Sequence, residues 1–214
     1  MRLIVLNAGD SFKLDGYNKL LLKNPHTNKT IIEEYEQKYK PSDVSIVVGY
    51  NAISVINQFP HYNYIYNSKW QTTNNSYSLA LALDERASII TSSDFFISQS
   101  LVDKISKYDN CLVVKDTENK SLDSLNLRLD INGNIDSVYY GKSDAKDYEL
   151  LGIFKISDKE ILKKWKQNSL INQFKYIGEN LPLSKKIKII KADEKEVFEI
   201  NEIQDFLNYI RDKK

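Results

Sequence analysis

Gly9 and the two cations that follow it, Lys13 and Lys19, are the groups in this sequence best suited to holding an anion. They belong to Asn7-Ala8-Gly9-Asp10-Ser11-Phe12-Lys13, which follows the apolar run Met1 to Leu6 directly. A loop of one Gly, two small residues (Ala8, Ser11) and two ammonium groups can turn successive backbone N–H groups and positive charge toward a polyphosphate. An ordinary turn has the same look, because one Gly supplies only one unrestricted backbone position. The loop carries neither G-x-G-x-x-G nor G-x-x-x-x-G-K-[ST], so it is neither a standard dinucleotide fingerprint nor a Walker P-loop.

Asp94 is the second candidate. It follows Ile89-Ile90-Thr91, near the end of a strand, where a carboxylate can ligate Mg²⁺ alongside substrate phosphates or simply cap the next turn. In Glu199-Ile200-Asn201 the two polar side chains fall on one face of an extended segment, and either could add an oxygen ligand. Asn201 is also suited to capping the helix that follows. The loop from Asn67 to Ser78 is dense in amides and hydroxyls that could read the edge of a base, with Trp70 or Tyr77 to stack on it. A polar loop that caps a helix at Ser76 has the same composition. His26 and His61 have no partner at ligand spacing and receive no role.

The elements that must position these groups alternate. Met1 to Leu6, Ser45 to Val48, Tyr64 to Tyr66, Ala87 to Thr91 and Cys111 to Val114 read as buried strands. Between them lie helices at Ile31 to about Lys40, Asn51 to Gln58, Ser76 to Leu83 and Leu101 to Lys107. Thr30 and Glu33 form a capping box for the first, which Pro41 stops, and Ser98 starts the last. This order implies a parallel sheet covered by helices, with ligands at the carboxyl ends of its strands. The second half departs from it. Asn132-Gly133-Asn134 predicts a hairpin between Asn126–Asp130 and Ile135–Tyr140. Leu150 to Ile156 is a further strand, and Ser157 with Glu160 predicts a capping box for a helix to about Gln173. Lys186 to Ile190 and Val197 to Ile200 are strands before a final helix from about Glu202 to Arg211. The fold expected is a mixed, mainly parallel three-layer α/β/α domain with antiparallel additions, occupying residues 1–214 as one unit.

Composition excludes several classes. Lys+Arg (30) and Asp+Glu (29) nearly cancel, so no charge excess draws the chain to nucleic acid. The Lys-rich stretches near Lys163 and Lys185 read as solvated faces. The single cysteine, Cys111, permits neither an intrachain disulfide nor a cysteine zinc site, and it opens an apolar run as a buried, inert thiol. No apolar stretch approaches ~18 residues and no leader is evident, so neither a membrane nor export is expected and the location expected is cytoplasmic.

With these positions in hand, the chain resembles the nucleotidyltransferase family that activates sugar phosphates and small phosphorylated alcohols, over nearly its whole length. The family's A-A-G-x-G-x-R loop and following P-K-x-L are similar to Asn7 through Lys13 and to Asn18-Lys19-Leu20-Leu21, with Ser11 for the second Gly and Lys13 for the Arg. Gly49-Tyr50 resembles the family's G-Y after the second strand. Asn67 with Thr73-Asn74-Asn75-Ser76-Tyr77-Ser78-Leu79 is similar to the N…T-N-N-x-Y-S-L segment of the phosphocholine cytidylyltransferase branch, the most specific piece. Ser92-Ser93-Asp94-Phe95 resembles the metal-binding Asp segment, with Ser92 where an acidic residue is common. Val197 through Phe206 resembles W-x-E-I-D-x-x-x-D-L, with Asn201 in place of the second metal ligand, as in the uridylyltransferase branch.

The resemblance implies a Rossmann-like nucleotidyltransferase fold, CTP as donor, Mg²⁺ (or Mn²⁺) on Asp94 and Asn201, and transfer of CMP to a small phosphorylated acceptor. Lys19, Lys13 and Asp94 are then the catalytic candidates. Leu6, Asn7, Ala8, Gly9, Asp10, Ser11, Phe12, Asn74, Asn75 and Ser78 surround the nucleotide, and Lys142 and Glu149 are acceptor-side candidates. The branch's acceptors include phosphocholine, aminoethylphosphonate and phosphoglutamine. The departures at Ser11 and in the Asp segment tilt the expectation toward phosphoglutamine, which feeds phosphoramidate decoration of bacterial capsular polysaccharide. The alternatives are a sugar-1-phosphate uridylyl- or thymidylyltransferase and a non-catalytic nucleotide-binding protein.

Overall fold

The computed structural model describes residues 1–25, 27–36, 40, 43–116, 124–142, 144 and 146–211. Its first strands are β1 (Arg2–Asn7), β2 (Val44–Val48), β3 (Asn63–Tyr66) and β4 (Ser88–Ser92), interleaved with α1 (Ile31–Glu36), α2 (Ala52–Gln58) and α3 (Asn75–Ala82). Then follow β5 (Phe95–Ile97), α4 (Gln99–Ser106), β6 (Asn110–Lys115), β7 (Ser124–Leu129), β8 (Ile135–Gly141), β9 (Tyr148–Ile156), α5 (Lys159–Ile171), β10 (Lys188–Lys191), β11 (Val197–Glu199) and α6 (Ile203–Arg211).

The main sheet runs β10-β6-β9-β4-β1-β2-β3, with β7 and β8 attached through β9. β1 pairs parallel with both β2 and β4, and β2 with β3, as the alternating sequence requires. The central strands read as continuous apolar runs because both of their faces are covered. Alternation along β1 divides the core in two. Leu3 and Val5 pack with Ile31, Ile32, Val55 and Leu101 from α1, α2 and α4, whereas Ile4 and Leu6 pack with Leu79, Leu162 and Trp165 from α3 and α5. Three layers result. Trp165 is fully buried, meets Phe154 edge-on at 5.1 Å and donates from Nε1 to the Ile177 carbonyl (2.9 Å), so its one polar atom is satisfied.

The capping box at Thr30 is present: Glu33 Oε2 accepts from Thr30 N (2.7 Å), and Thr30 Oγ1 from Glu33 N (3.3 Å). The run expected onward to Lys40 passes through residues 37–39, and it and the stop at Pro41 lie outside the described residues, as does His26. The expected hairpin forms as β7–β8, with Gly133 at φ +78.

Two features carry no signal in the sequence, and one expectation is corrected. The antiparallel strand β9 lies inside the sheet, antiparallel to β4 on one side and β6 on the other. Phe95–Ile97 is a strand, β5, made one by antiparallel pairing with the distant β11, which no local pattern signals. The cap of α5 is Asp158, whose Oδ1 accepts from the N–H groups of Glu160 and Ile161, while the Ser157 N–H is taken by Asn110 Oδ1. A carboxylate at an N-terminus also answers the helix dipole, which a hydroxyl does not.

Candidate active site

The carboxyl ends of β1, β2 and β4 are tied to one another. Tyr50 N donates to Ala8 O (2.9 Å), Ser93 N to Leu6 O (3.1 Å) and Asn67 N to Val48 O (2.8 Å). Gly49 permits this closeness, since a Cβ there would stand 2.5 Å from Ala8 O and 2.6 Å from Trp70 Cβ. Gly9 differs: its φ is not left-handed, and a Cβ would meet nothing within 4 Å. The loop therefore does not need glycine for its own path, and the freedom at Gly9 is space on the side of the cleft.

Beyond Gly9 the chain makes two short 3-10 turns, Phe12–Leu14 and Lys19–Leu21. Buried Leu14 and Leu20 anchor them, and Asn18 Oδ1 accepts from Leu20 N (3.1 Å) to cap the second. That anchoring holds Lys19 over the strand ends, where Nζ lies 2.9 Å from Asp94 Oδ1.

Two chambers meet at this ion pair. The smaller, about 210 Å³, is lined by Leu6, Asn7, Ala8, Gly9, Asp10, Ser11, Lys19, Asn74, Asn75, Ser78 and Asp94 among others. Most of the expected nucleotide side is thus assembled there. Its polar wall has structural duties too: Asn67 Nδ2 donates to Ser78 Oγ (3.0 Å), Asn74 Oδ1 caps α3 from the Asn75 N–H (2.7 Å), and Asn75 Oδ1 accepts from Ile177 N (2.9 Å). The loop caps α3 through Asn74 and also lines the chamber.

The larger chamber, about 730 Å³, adds Phe12, Lys13, Glu149 and Asn201. Lys142 is exposed and lies outside both linings. The sequence reading missed Tyr140 and Tyr176, whose stacked rings (centroids 4.4 Å apart, planes at 20°) form part of this wall, and Lys115, whose Nζ is 3.4 Å from Glu149 Oε2 and 3.7 Å from Glu199 Oε2. These groups come from β6, β8, β9, β11 and the turn at Ile177–Asn180, so no spacing in the chain announces them. Burial pushes the Glu199 carboxyl above its ordinary range, with Asp94 and Glu149 adding to the effect and Lys115 opposing it.

The N-terminus of α6 is tied back by Asp205. Asp205 Oδ2 accepts from the N–H groups of both Asn201 and Glu202 (2.8 Å each), and Ile200 N donates to Asp94 O (2.9 Å), which holds the segment beside Asp94. Among the described residues no three His, Cys, Asp or Glu side chains gather as a metal cluster. One carboxylate and one amide oxygen, Asp94 and Asn201, fit Mg²⁺, which is commonly held by one or two carboxylates with phosphates and water. Ser92, which stands where an acidic residue was expected, packs against β9: a Cβ on Gly152 would fall 2.4 Å from its Oγ.

No protein-family model and no curated protein sequence matches the chain. Solved structures do. The CTP:phosphocholine cytidylyltransferase of Streptococcus pneumoniae is 18% identical, with a TM-score of 0.76 over 100% of this chain and 99% of that one. The inositol-1-phosphate CTP transferase of T. maritima is 14% identical (TM-score 0.70; 98% and 93% covered), and the nucleoside-diphosphate-sugar pyrophosphorylase of Vibrio cholerae RC9 is 13% identical (0.69; 97% and 99%). The fold is that of the nucleotidyltransferases, and at these identities the likeness is one of fold.

Proposed function

We propose that the chain is a CTP-dependent nucleotidyltransferase that joins CMP to a small phosphorylated amine and releases pyrophosphate. The observation that carries this reading is the confluence of two chambers at Lys19 and Asp94, both of which line each chamber. Such a cleft can hold two anionic substrates side by side with a cation and a metal-ligating carboxylate where they touch.

The reaction asks little covalent help from the protein. An oxygen of the acceptor phosphate attacks the α-phosphorus of CTP, the new O–P bond forms, and the bond to the β-phosphate breaks as pyrophosphate departs with the electron pair. A phosphate monoester has its second pKa near ~6, so the attacking oxygen is already mostly ionised and needs no general base. What remains is to align two anions and screen their repulsion. Lys19 holds the α-phosphate and acceptor oxygens, and Lys13 with the backbone N–H groups of Gly9 to Phe12 holds the β- and γ-phosphates. Mg²⁺ on Asp94 and Asn201 would supply charge neutralisation between the two substrates.

CTP is favoured by the resemblance of Asn67 and the Thr73-Asn74-Asn75 segment to the cytidylyltransferase branch, with Asn74 and Asn75 on the wall of the smaller chamber. The acceptor is read from the larger one. Its carboxylates Asp10, Asp94, Glu149, Glu199, Glu202 and Asp205 outnumber Lys13 and Lys19, and aromatic rings stand at Phe12, Tyr140 and Tyr176 among others. That lining suits a cationic head, by charge and by cation–π attraction. Among the described lining residues the cations are Lys13 and Lys19, and the neighbouring Lys115 is already engaged by Glu149 and Glu199, which moves the preference from phosphoglutamine to phosphocholine. The test is pyrophosphate release from each of four nucleoside triphosphates paired with phosphocholine, phosphoglutamine, aminoethylphosphonate and glucose 1-phosphate. Release with CTP and phosphocholine is expected. Release with UTP or dTTP and glucose 1-phosphate alone would replace this reading, and CTP binding without any turnover would leave a non-catalytic binder.

A further inference from the structure

Asn7, the last residue of β1, is 7% exposed and lines the smaller chamber, and its Nδ2 is sealed from solvent with no hydrogen-bond partner among the described residues. Buried amide donors are nearly always paired, because an unmade bond leaves their desolvation uncompensated. The A-A-G segment that this loop resembles has an alanine at this place, so the amide is a feature of this chain. Which way the amide faces follows from the strand. Leu3 and Val5 belong to the core beneath Leu14 and Leu20, whereas Leu6 and Ala8 pack with Leu79 and Trp70 on the face of α3. Period-two alternation puts Asn7 with Leu3 and Val5, under the loop that carries Lys19 and away from the wall of Asn74, Asn75 and Ser78.

We propose that Asn7 is a phosphate-binding residue, its side-chain amide donating to a polyphosphate oxygen of the bound nucleotide. This rests on the nucleotide reading above only for the identity of the ligand; the chemistry is that of any polyphosphate at the loop. The two ends of an amide are nearly equal in shape, and rotation about χ2 by half a turn exchanges its NH₂ and C=O. With no partner holding Nδ2, an arriving anion can draw the NH₂ toward the chamber at little cost.

Wild type, Asn7→Ala and Asn7→Asp are compared by titration calorimetry against CTP, inorganic tripolyphosphate and cytidine, with the melting temperature of each protein recorded without ligand. Asn7→Ala should melt at or above wild type, since it removes an orphaned donor. It should bind CTP and tripolyphosphate roughly ten- to a hundredfold more weakly, the range for a hydrogen bond to a charged group, and cytidine unchanged. Asn7→Asp, which presents a carboxylate to the anion, should be weaker still. Wild-type affinity for both anions in Asn7→Ala overturns the proposal, as does a loss shared equally by CTP and cytidine, which would mark a ribose or base contact. If wild type shows no CTP preference and no turnover while tripolyphosphate binding still depends on Asn7, the cytidylyltransferase reading fails and this one stands.

Discussion

Lys19 Nζ and Asp94 Oδ1 stand 2.9 Å apart at the junction of the two chambers, one carried by the 3-10 turn beyond β1 and the other by the turn after β4. The two form an ion pair, and each is the group the proposed chemistry needs. On the proposed chemistry, a phosphate that engages Lys19 would free the carboxylate for a cation. Asp94→Ala is expected to lower kcat by roughly 10²- to 10³-fold, the scale of losing one preorganised electrostatic contact. A partly exposed ion pair contributes only about 0–1 kcal/mol, so chemical denaturation should shift little. Near-normal turnover in this variant would remove Asp94 from the mechanism.

Gly9 and Gly49 should respond oppositely to alanine. At Gly9 the added methyl meets open space and the backbone is not left-handed, so Gly9→Ala should keep or raise stability, by up to about 1 kcal/mol through the unfolded chain. The methyl takes space at the phosphate loop, and the KM for CTP should rise. At Gly49 it collides with Ala8 O and Trp70, and Gly49→Ala should cost about 1–3 kcal/mol. Urea denaturation with steady-state kinetics on both variants separates the two.

Tyr176→Ala should weaken a cationic acceptor and leave the nucleotide alone. Removing one aromatic partner of a cation forfeits about 0.5–2 kcal/mol, which raises the acceptor KM roughly 2- to 30-fold. The KM for CTP should not move. An equal rise in both constants would instead mean that the Tyr140–Tyr176 stack supports the fold of this wall.

Glu196 gives the molecule an acid-sensitive clasp. Its carboxylate accepts from Lys104 Nζ (2.7 Å), Ser100 Oγ (2.9 Å) and Asp193 N (3.1 Å), joining α4 to the turn that leads into β11. Burial alone would raise its pKa, but these donors outweigh it and hold the carboxyl below its ordinary 4.5. The unfolded chain therefore takes up the proton first as pH falls. The stabilisation is complete above 4.5 and is lost as pH drops through the folded value. Glu196→Gln should melt lower than wild type at neutral pH, and the gap should narrow on acidification below 4.5. Parallel melting curves across that range would show that Glu196 does not titrate with folding.

The smaller chamber was legible from Asn7 through Ser11 and from the Asn67–Ser78 stretch because its residues lie next to strand ends, where local pattern and topology agree. The larger chamber was legible only in part: Lys13, Glu149 and Asn201 stood out, and its aromatic wall did not. Tyr140 stacks on Tyr176, and Lys115 reaches Glu149 because β9 enters the sheet beside β6; neither a tyrosine on a strand nor a lysine at a strand end carries a local sign of those contacts. Asn201 shows another limit: Asp205, four residues later, makes the local return bond to the Asn201 and Glu202 N–H groups, but the Ile200 N to Asp94 O bond that sets where Asn201 lies is tertiary and carries no local sign.

The interior position of β9 has a consequence for how the chain is born. β4 and β6 leave the ribosome before β9 does, and neither pairs with the other, so each presents an unfilled edge until residues 148–156 emerge. Open edges of apolar strands invite pairing with other chains. The nascent protein thus passes through an interval of aggregation risk that closes only when β9 inserts, and the same insertion brings Glu149 and Gly152 to the second chamber. Completion of the second chamber and closure of the exposed edges are one event.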